Sequence, residues 1–179
     1  MLLTKGVMVR GYITRGRIYH DGNEFMGTGY HEAYQREAGV SAFKREAHEK
    51  GTPFVEVDPS VCAYVTNETD PCVQEMFGRY VKMDGDLTAL FPFKRLSHSF
   101  IIAGFGHKFD PVREKKSNDN LRCSIRALKE RVLAHIDESN ERAMAKARHY
   151  IAALDEQLSL CDKTDAMIDR LVAPLGPAD

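Results

Sequence analysis

The chain contains no tryptophan, no low-complexity tract and no apolar run near the about 20 residues that cross a bilayer as a helix. These absences argue against a membrane-spanning helix. Charge is nearly balanced, with 25 Lys and Arg against 26 Asp and Glu, for a net of −1. A dedicated nucleic-acid binder carries a basic excess or stripe, so no nucleic acid is expected as partner. The four cysteines, Cys62, Cys72, Cys123 and Cys161, form no CxxC pair. They are expected to be free and mostly buried, which argues against a disulfide framework or a thiolate zinc site. The opening residues carry Lys5 and Arg10 and then turn into a strand pattern, unlike a signal peptide. A cytoplasmic protein with no membrane partner is the expectation.

What remains is the composition of an ordinary globular chain. Its 179 residues suffice for one domain, or for a smaller domain with a helical appendage. Val7 to Tyr19 is rich in Val, Ile and Tyr and alternates as a half-buried strand, interrupted by Gly11 and Gly16. Two glycines in a strand indicate a bulge or a close approach by a ligand or another backbone; a simple bend explains them equally well. His20-Asp21-Gly22-Asn23 reads as a turn and Glu24–Met26 as a short strand. Gly27-Thr28-Gly29 then opens a helix with Thr28 as its N-cap. Ala33, Tyr34, Ala38, Phe43 and Ala47 continue that helix, with a break near Gly39. Phe54 to Val57 reads as a buried strand, and Asp58-Pro59 starts a second helix by capping and by proline at the first helical position. A hairpin is expected around Gly85, within Gln74 to Pro92, and a buried element of ambiguous type over Phe93 to Phe109.

The character changes after Asp110-Pro111. Asn118 or Asp119 would cap a helix with Leu121, Ile125, Leu128, Val132 and Ile136 on one face. Asp137 to Asn140 breaks it. A second helix carries Ala143 to Leu158, and Thr164 would cap a short third. The chain therefore divides into an α/β region over residues 1–109 and a C-terminal helical hairpin over residues 110–179.

The stretch from Val9 to Glu37 resembles the second half of the core of a class III nucleotidyl cyclase. In that family a strand of the form R-x-G-I-x-x-G is followed by a short strand ending in Gly and then a helix. Here the strand is Arg10-Gly11-Tyr12-Ile13-Thr14-Arg15-Gly16, the short strand ends in Met26-Gly27, and Ala33 and Glu37 hold the positions of the family's Ala and Glu. The likeness covers roughly Val7 to Val65. It implies an α+β, ferredoxin-like-derived half-sheet, with a nucleotide site at the interface of a homodimer.

The residues that would do the chemistry depart from the family's. Its base-selecting Asp falls on Thr28 and its ribose-orienting Asn on His31. Its phosphoryl-stabilising Arg falls on Gln35, or on Arg36 if the register slips by one. Its two metal-binding aspartates lie in the half of the fold that precedes Val7. Losing such an Arg costs roughly a few kcal/mol of transition-state stabilisation, and losing the metals costs more. The expectation is a module without catalytic activity of its own, either a fragment of a longer enzyme or a degenerate relative. Mg or Mn would accompany a nucleotide only where the preceding half is present. Arg10, Gly27, Thr28, Gly29, His31 and Gln35 are the candidate contacts to a nucleoside triphosphate. The alternative is a structural or oligomerisation protein with no small-molecule ligand.

Other chemistries leave weaker traces. The seven histidines lack ligand spacing, and a metal site at His98, His107 and Asp110 is the one arrangement conceivable. Ser97-His98-Ser99 has no nucleophile elbow. Gly27-Thr28-Gly29 at a helix start could hold an anion through backbone N–H groups, but it is no Walker A loop.

Overall fold

The computed structural model describes Lys5, residues 7–49, residues 51–91, Phe93 and residues 109–173. It is a mixed α/β structure: a small mixed sheet, three short helices and two long C-terminal helices. The strands are β1 (Gly11–Ile13), β2 (Tyr19–Asp21), β3 (Glu24–Met26), β4 (Val55–Val57), β5 (Val81–Asp84) and β6 (Leu87–Leu90). The helices are α1 (Thr28–Glu37), α2 (Pro59–Thr66), α3 (Pro71–Tyr80), α4 (Pro111–Ala134) and α5 (Glu141–Val172). The main sheet has the order β1-β4-β6-β5. β1 runs parallel to β4, with Gly11 opposite Val55, and β6 is antiparallel to both β4 and β5. α1 lies in the crossover from β1 to β4, as a parallel pair requires. β2 and β3 form a separate hairpin.

Three helices begin with the same two residues. Asp58, Asp70 and Asp110 each accept backbone N–H bonds from the first turn, and Pro59, Pro71 and Pro111 each follow as the first helical residue. Proline costs nothing there because its missing N–H would be unpaired anyway. The second of these starts α3, a helix the alternation of Gln74 to Tyr80 does not reveal. The third starts α4 eight residues before Asn118. The hairpin around Gly85 forms as expected, with Gly85 at φ 59°.

The helix breaks beside Gly39 as expected, ending at Glu37, but it does not resume toward Ala47. Beyond it, chain N–H groups bond elsewhere. The buried Glu56 carboxylate on β4 accepts from Ser41 N–H and Ala42 N–H, and Asp84 accepts from Phe43 N–H at 2.6 Å. Phe43 takes a left-handed backbone, φ 60°. The N-cap position of α1 is Gly27 rather than Thr28, and no side chain caps it. α5 is a single helix through Thr164, whose hydroxyl bonds back to Leu160 O instead of starting a new one. Asn140 caps α5 by accepting Ala143 N–H.

The sheet and the long helices share one core. Phe54, Ala89, Phe91 and Phe93 pack with Ile125, Val132, Ala147, Tyr150 and Leu154, so residues from both sides of position 110 build it. Tyr150 donates to Pro53 O at 2.7 Å, tying α5 to the entry of β4. Across the hairpin, buried Asn118 and Arg122 on α4 bond Asp165 on α5 at 2.6 Å each, which fixes the helix register. The cysteines are free, but only Cys161 is buried; Cys72 and Cys123 are exposed on helix surfaces, against the expectation of mostly buried thiols. Among the described residues no helix is long and apolar enough to cross a membrane. Leu96, Phe100, Ile101, Phe105, His98 and His107 lie outside the described residues. Asp110, the third member of that metal reading, is the α4 cap.

Candidate functional site

The site begins where the chain leaves β1. Residues 14–18 cross the N-terminus of α1 so closely that side chains would not fit. A Cβ on Gly16 would lie 2.4 Å from Gly29 Cα, and one on Gly27 2.1 Å from Arg17 O. Gly27 also sits at φ 133°, which other residues rarely adopt. Gly29 is buried and donates its N–H to Arg17 O at 3.3 Å. Of the explanations open for the glycine after β1, the close approach of another backbone is the one the structure realises. An Arg17 carbonyl therefore occupies one of the helix-end donors that an anion would need.

This crossing fixes the exposed face of α1. Thr28, His31 and Gln35, at helical spacings of three and four, lie exposed along it. The Gln35 amide donates to His31 Nε2 at 2.8 Å, which makes that nitrogen the acceptor. Glu32, half-buried, accepts from Thr14 Oγ1 at 3.3 Å. Arg10 is elsewhere. Its Nε bonds Glu37 at the last turn of α1, and its guanidinium lies over Gly51. Glu37 and Thr28 stand at opposite ends of a ten-residue helix, about 14 Å apart along its axis. The structure thus brings Gly27, Thr28, Gly29, His31 and Gln35 together and separates Arg10 from them.

Two arrangements near this face were not anticipated. The first is a ladder of rings. His20 and Phe25 are direct partners across the β2–β3 hairpin and stack at 4.5 Å. Phe25 stacks on Tyr30, and Tyr30 on Tyr34, each at 6.4 Å and within 25° of parallel. Phe25, Tyr30 and Tyr34 are 53%, 49% and 72% exposed, beside the similarly exposed Ile18, Tyr19 and Met26. The sequence signal was the Tyr30, Tyr34 spacing together with the two-residue Gly22-Asn23 turn that sets the hairpin register.

The second arrangement is Tyr12 with Asp58, at the carboxyl ends of β1 and β4. The Tyr12 hydroxyl donates to Asp58 Oδ2 at 2.6 Å, while Asp58 Oδ1 accepts Ser60 N–H at 2.8 Å. Burial pushes the Tyr12 hydroxyl well above its usual range, and the neighbouring Asp58 carboxylate adds to this. Burial also pushes Asp58 up, but the bonds from Ser60 and Tyr12 and the nearby Arg36 outweigh it and hold the carboxyl below its usual value. The sequence identified Asp58 only as a cap. Its second partner comes from strand pairing that no local pattern encodes.

Asp58 shares this shift with Asp165 beside Arg122 and Asn118, and with Glu49 beside His149; in each case hydrogen bonds outweigh the opposing effect of burial. A carboxyl depressed in the folded chain adds stability that is complete above its unfolded value, about pH 4, and is lost as pH falls through the lower folded value. The thermal midpoint, followed by circular dichroism, is therefore expected to fall on acidification below about pH 4. Asp58→Asn should flatten that fall; an unchanged slope would remove Asp58 as a contributor.

Among the described residues no group of three His, Cys, Asp or Glu side chains is placed to hold a metal ion. No family model, no curated protein and no solved structure matches the chain.

Proposed function

We propose that the chain is a module on a nucleotidyl-cyclase-like, ferredoxin-derived half-sheet, that it lacks phosphoryl chemistry of its own, and that it works by association as a homodimer. The observation that carries this reading is the contrast along α1. The glycines needed to pass one backbone over another are kept, while the open face beside them carries Thr28, His31 and Gln35. By the resemblance those positions held an acid, an amide and a cation. A threonine and a glutamine supply no charge to a transferring phosphoryl group, and His31 is engaged with Gln35. Arg36, the neighbour that a shifted register would recruit, is near enough to Asp58 and Tyr12 to act on their charge.

The ladder supports association. Its rings are pre-stacked and exposed over a hairpin and a helix, and ordering them costs little further entropy. A contiguous apolar face of this kind marks an interaction surface, and a net charge of −1 does not oppose pairing of identical chains. Light scattering at micromolar concentration is expected to give about twice the 20.2 kDa of one chain. The double substitution Phe25→Ser with Tyr34→Ser is expected to return the mass to that of a monomer without changing the helical circular dichroism. A monomeric wild type would sink the association reading.

The resemblance also implies a nucleoside triphosphate as ligand of the α1 face. Calorimetry with ATP, GTP, CTP and UTP, with Mg²⁺ or Mn²⁺, separates the two versions. Heat that is lost in His31→Ala supports a bound nucleotide there. Absence of such heat leaves a structural protein with no small-molecule ligand on this face.

A further inference from the structure

The segment after α1 and the first turns of α5 line a half-open cavity of about 590 Å³. That volume falls within the range of small-molecule sites. Its walls carry four cations: Arg45 from the segment, and Arg142, Lys146 and Arg148 from the helix. Two carboxylates reach it, and both are engaged. Glu49 bonds the buried His149 through one oxygen and accepts Arg45 N–H through the other. Glu46 Oε2 lies 3.1 Å from His48 Nε2.

The helix cations have no such partners. Elsewhere on the long helices, Lys115, Arg122 and Lys129 each pair with an aspartate on the facing helix. Arg142, Lys146 and Arg148 have no carboxylate within 4 Å among the described residues. Arg142 and Lys146 stand four apart, so they repel each other, and Arg142 lies in the first turn, where the helix end is already positive. Arg45 is drawn onto the same helix by donating to Arg148 O at 3.3 Å. Both arrangements bring positive charge to one concave space, whose Arg148 edge borders a second space lined by Glu138 and Glu141. Gly51, at φ 70°, lines the same space, and the Arg10 guanidinium lies against it.

We infer that this cavity is a binding site for a small molecule carrying two or more linked phosphate groups. Guanidinium groups bind phosphate oxygens in pairs, and several cations around one concave space match a ligand with several charges better than a single phosphate. The inference is independent of the cyclase-like reading, since none of its residues belongs to the α1 face.

Calorimetry at physiological salt, with inorganic tripolyphosphate and separately with ATP, tests it. Saturable one-to-one binding is expected. The double substitution Lys146→Ala with Arg148→Ala, which suits a helix, should weaken it at least tenfold, while Lys163→Ala, on the same helix but outside the cavity, should leave it unchanged. Equal affinity for the two ligands assigns the site to the phosphate chain alone; tighter ATP binding assigns it to a nucleotide. No saturable heat with either ligand overturns the inference. So does binding that the double variant keeps, or heat that sulfate reproduces at equal ionic strength.

Discussion

Gly27→Ala is expected to destabilise the protein by about 3 kcal/mol or more, because it combines two penalties. The residue sits at φ 133°, a strain of roughly 1–3 kcal/mol for an L side chain, and its Cβ would lie 2.1 Å from the Arg17 carbonyl oxygen. That oxygen cannot withdraw cheaply, since it also accepts Gly29 N–H and belongs to the strand-to-hairpin crossing. The comparison is Gly22→Ala in the β2–β3 turn. There φ is 56° with nothing within 4 Å of the added carbon, so only the conformational cost of about 1 kcal/mol applies. Urea midpoints of the two variants check this, with hydrogen exchange at Tyr19 to Tyr30 to locate the loss. Equal costs would mean that the crossing is looser than described.

Phe54→Ala is expected to cost about 3–5 kcal/mol, a large share of the roughly 5–15 kcal/mol that a folded domain has. Phe54 is 3% exposed and meets the rings of Phe43, Phe91, His149 and Tyr150 at centroid distances of 4.9 to 6.2 Å. It therefore joins the bent segment after α1, the end of β6 and the third turn of α5. Removing it opens a cavity between layers that cannot collapse independently. The urea-induced transition should move to lower concentration for sheet and helix signals together. If only the sheet signal moved, the shared core would be two cores.

The parts of the fold legible in the sequence were those whose causes are local. Asp58-Pro59 marked α2 because cap and proline act within one turn. Gly85 marked the β5–β6 hairpin because a left-handed turn residue is needed there. The same Asp-Pro signal stood at residues 70 and 110, where competing apolar spacings obscured it. Other features had distant causes. Gly39 marked the break after Glu37, but nothing near Phe43 explains why the helix does not resume, because the groups that hold the following loop are Glu56 and Asp84, on strands later in the chain. Thr164 looked like a cap but returns its hydroxyl to Leu160, as a mid-helix threonine can.

The candidate site divides in the same way. Gly27 to Gln35 form one contiguous stretch and stay together. Arg10 precedes them by seventeen positions, and its direction depends on Glu37 and Gly51 rather than on strand alternation. The basic cavity left no local trace, since Arg45 and Arg148 meet only through the packing of α5 against the segment after α1.

The most direct test of the central claim is a product assay. The purified chain is incubated with ATP, GTP, CTP and UTP in Mn²⁺, and products are read by mass spectrometry. The account predicts no cyclic nucleotide above a protein-free control. A cyclic product formed by the wild type and lost in Gln35→Ala or His31→Ala would contradict it, by making the α1 face an active site.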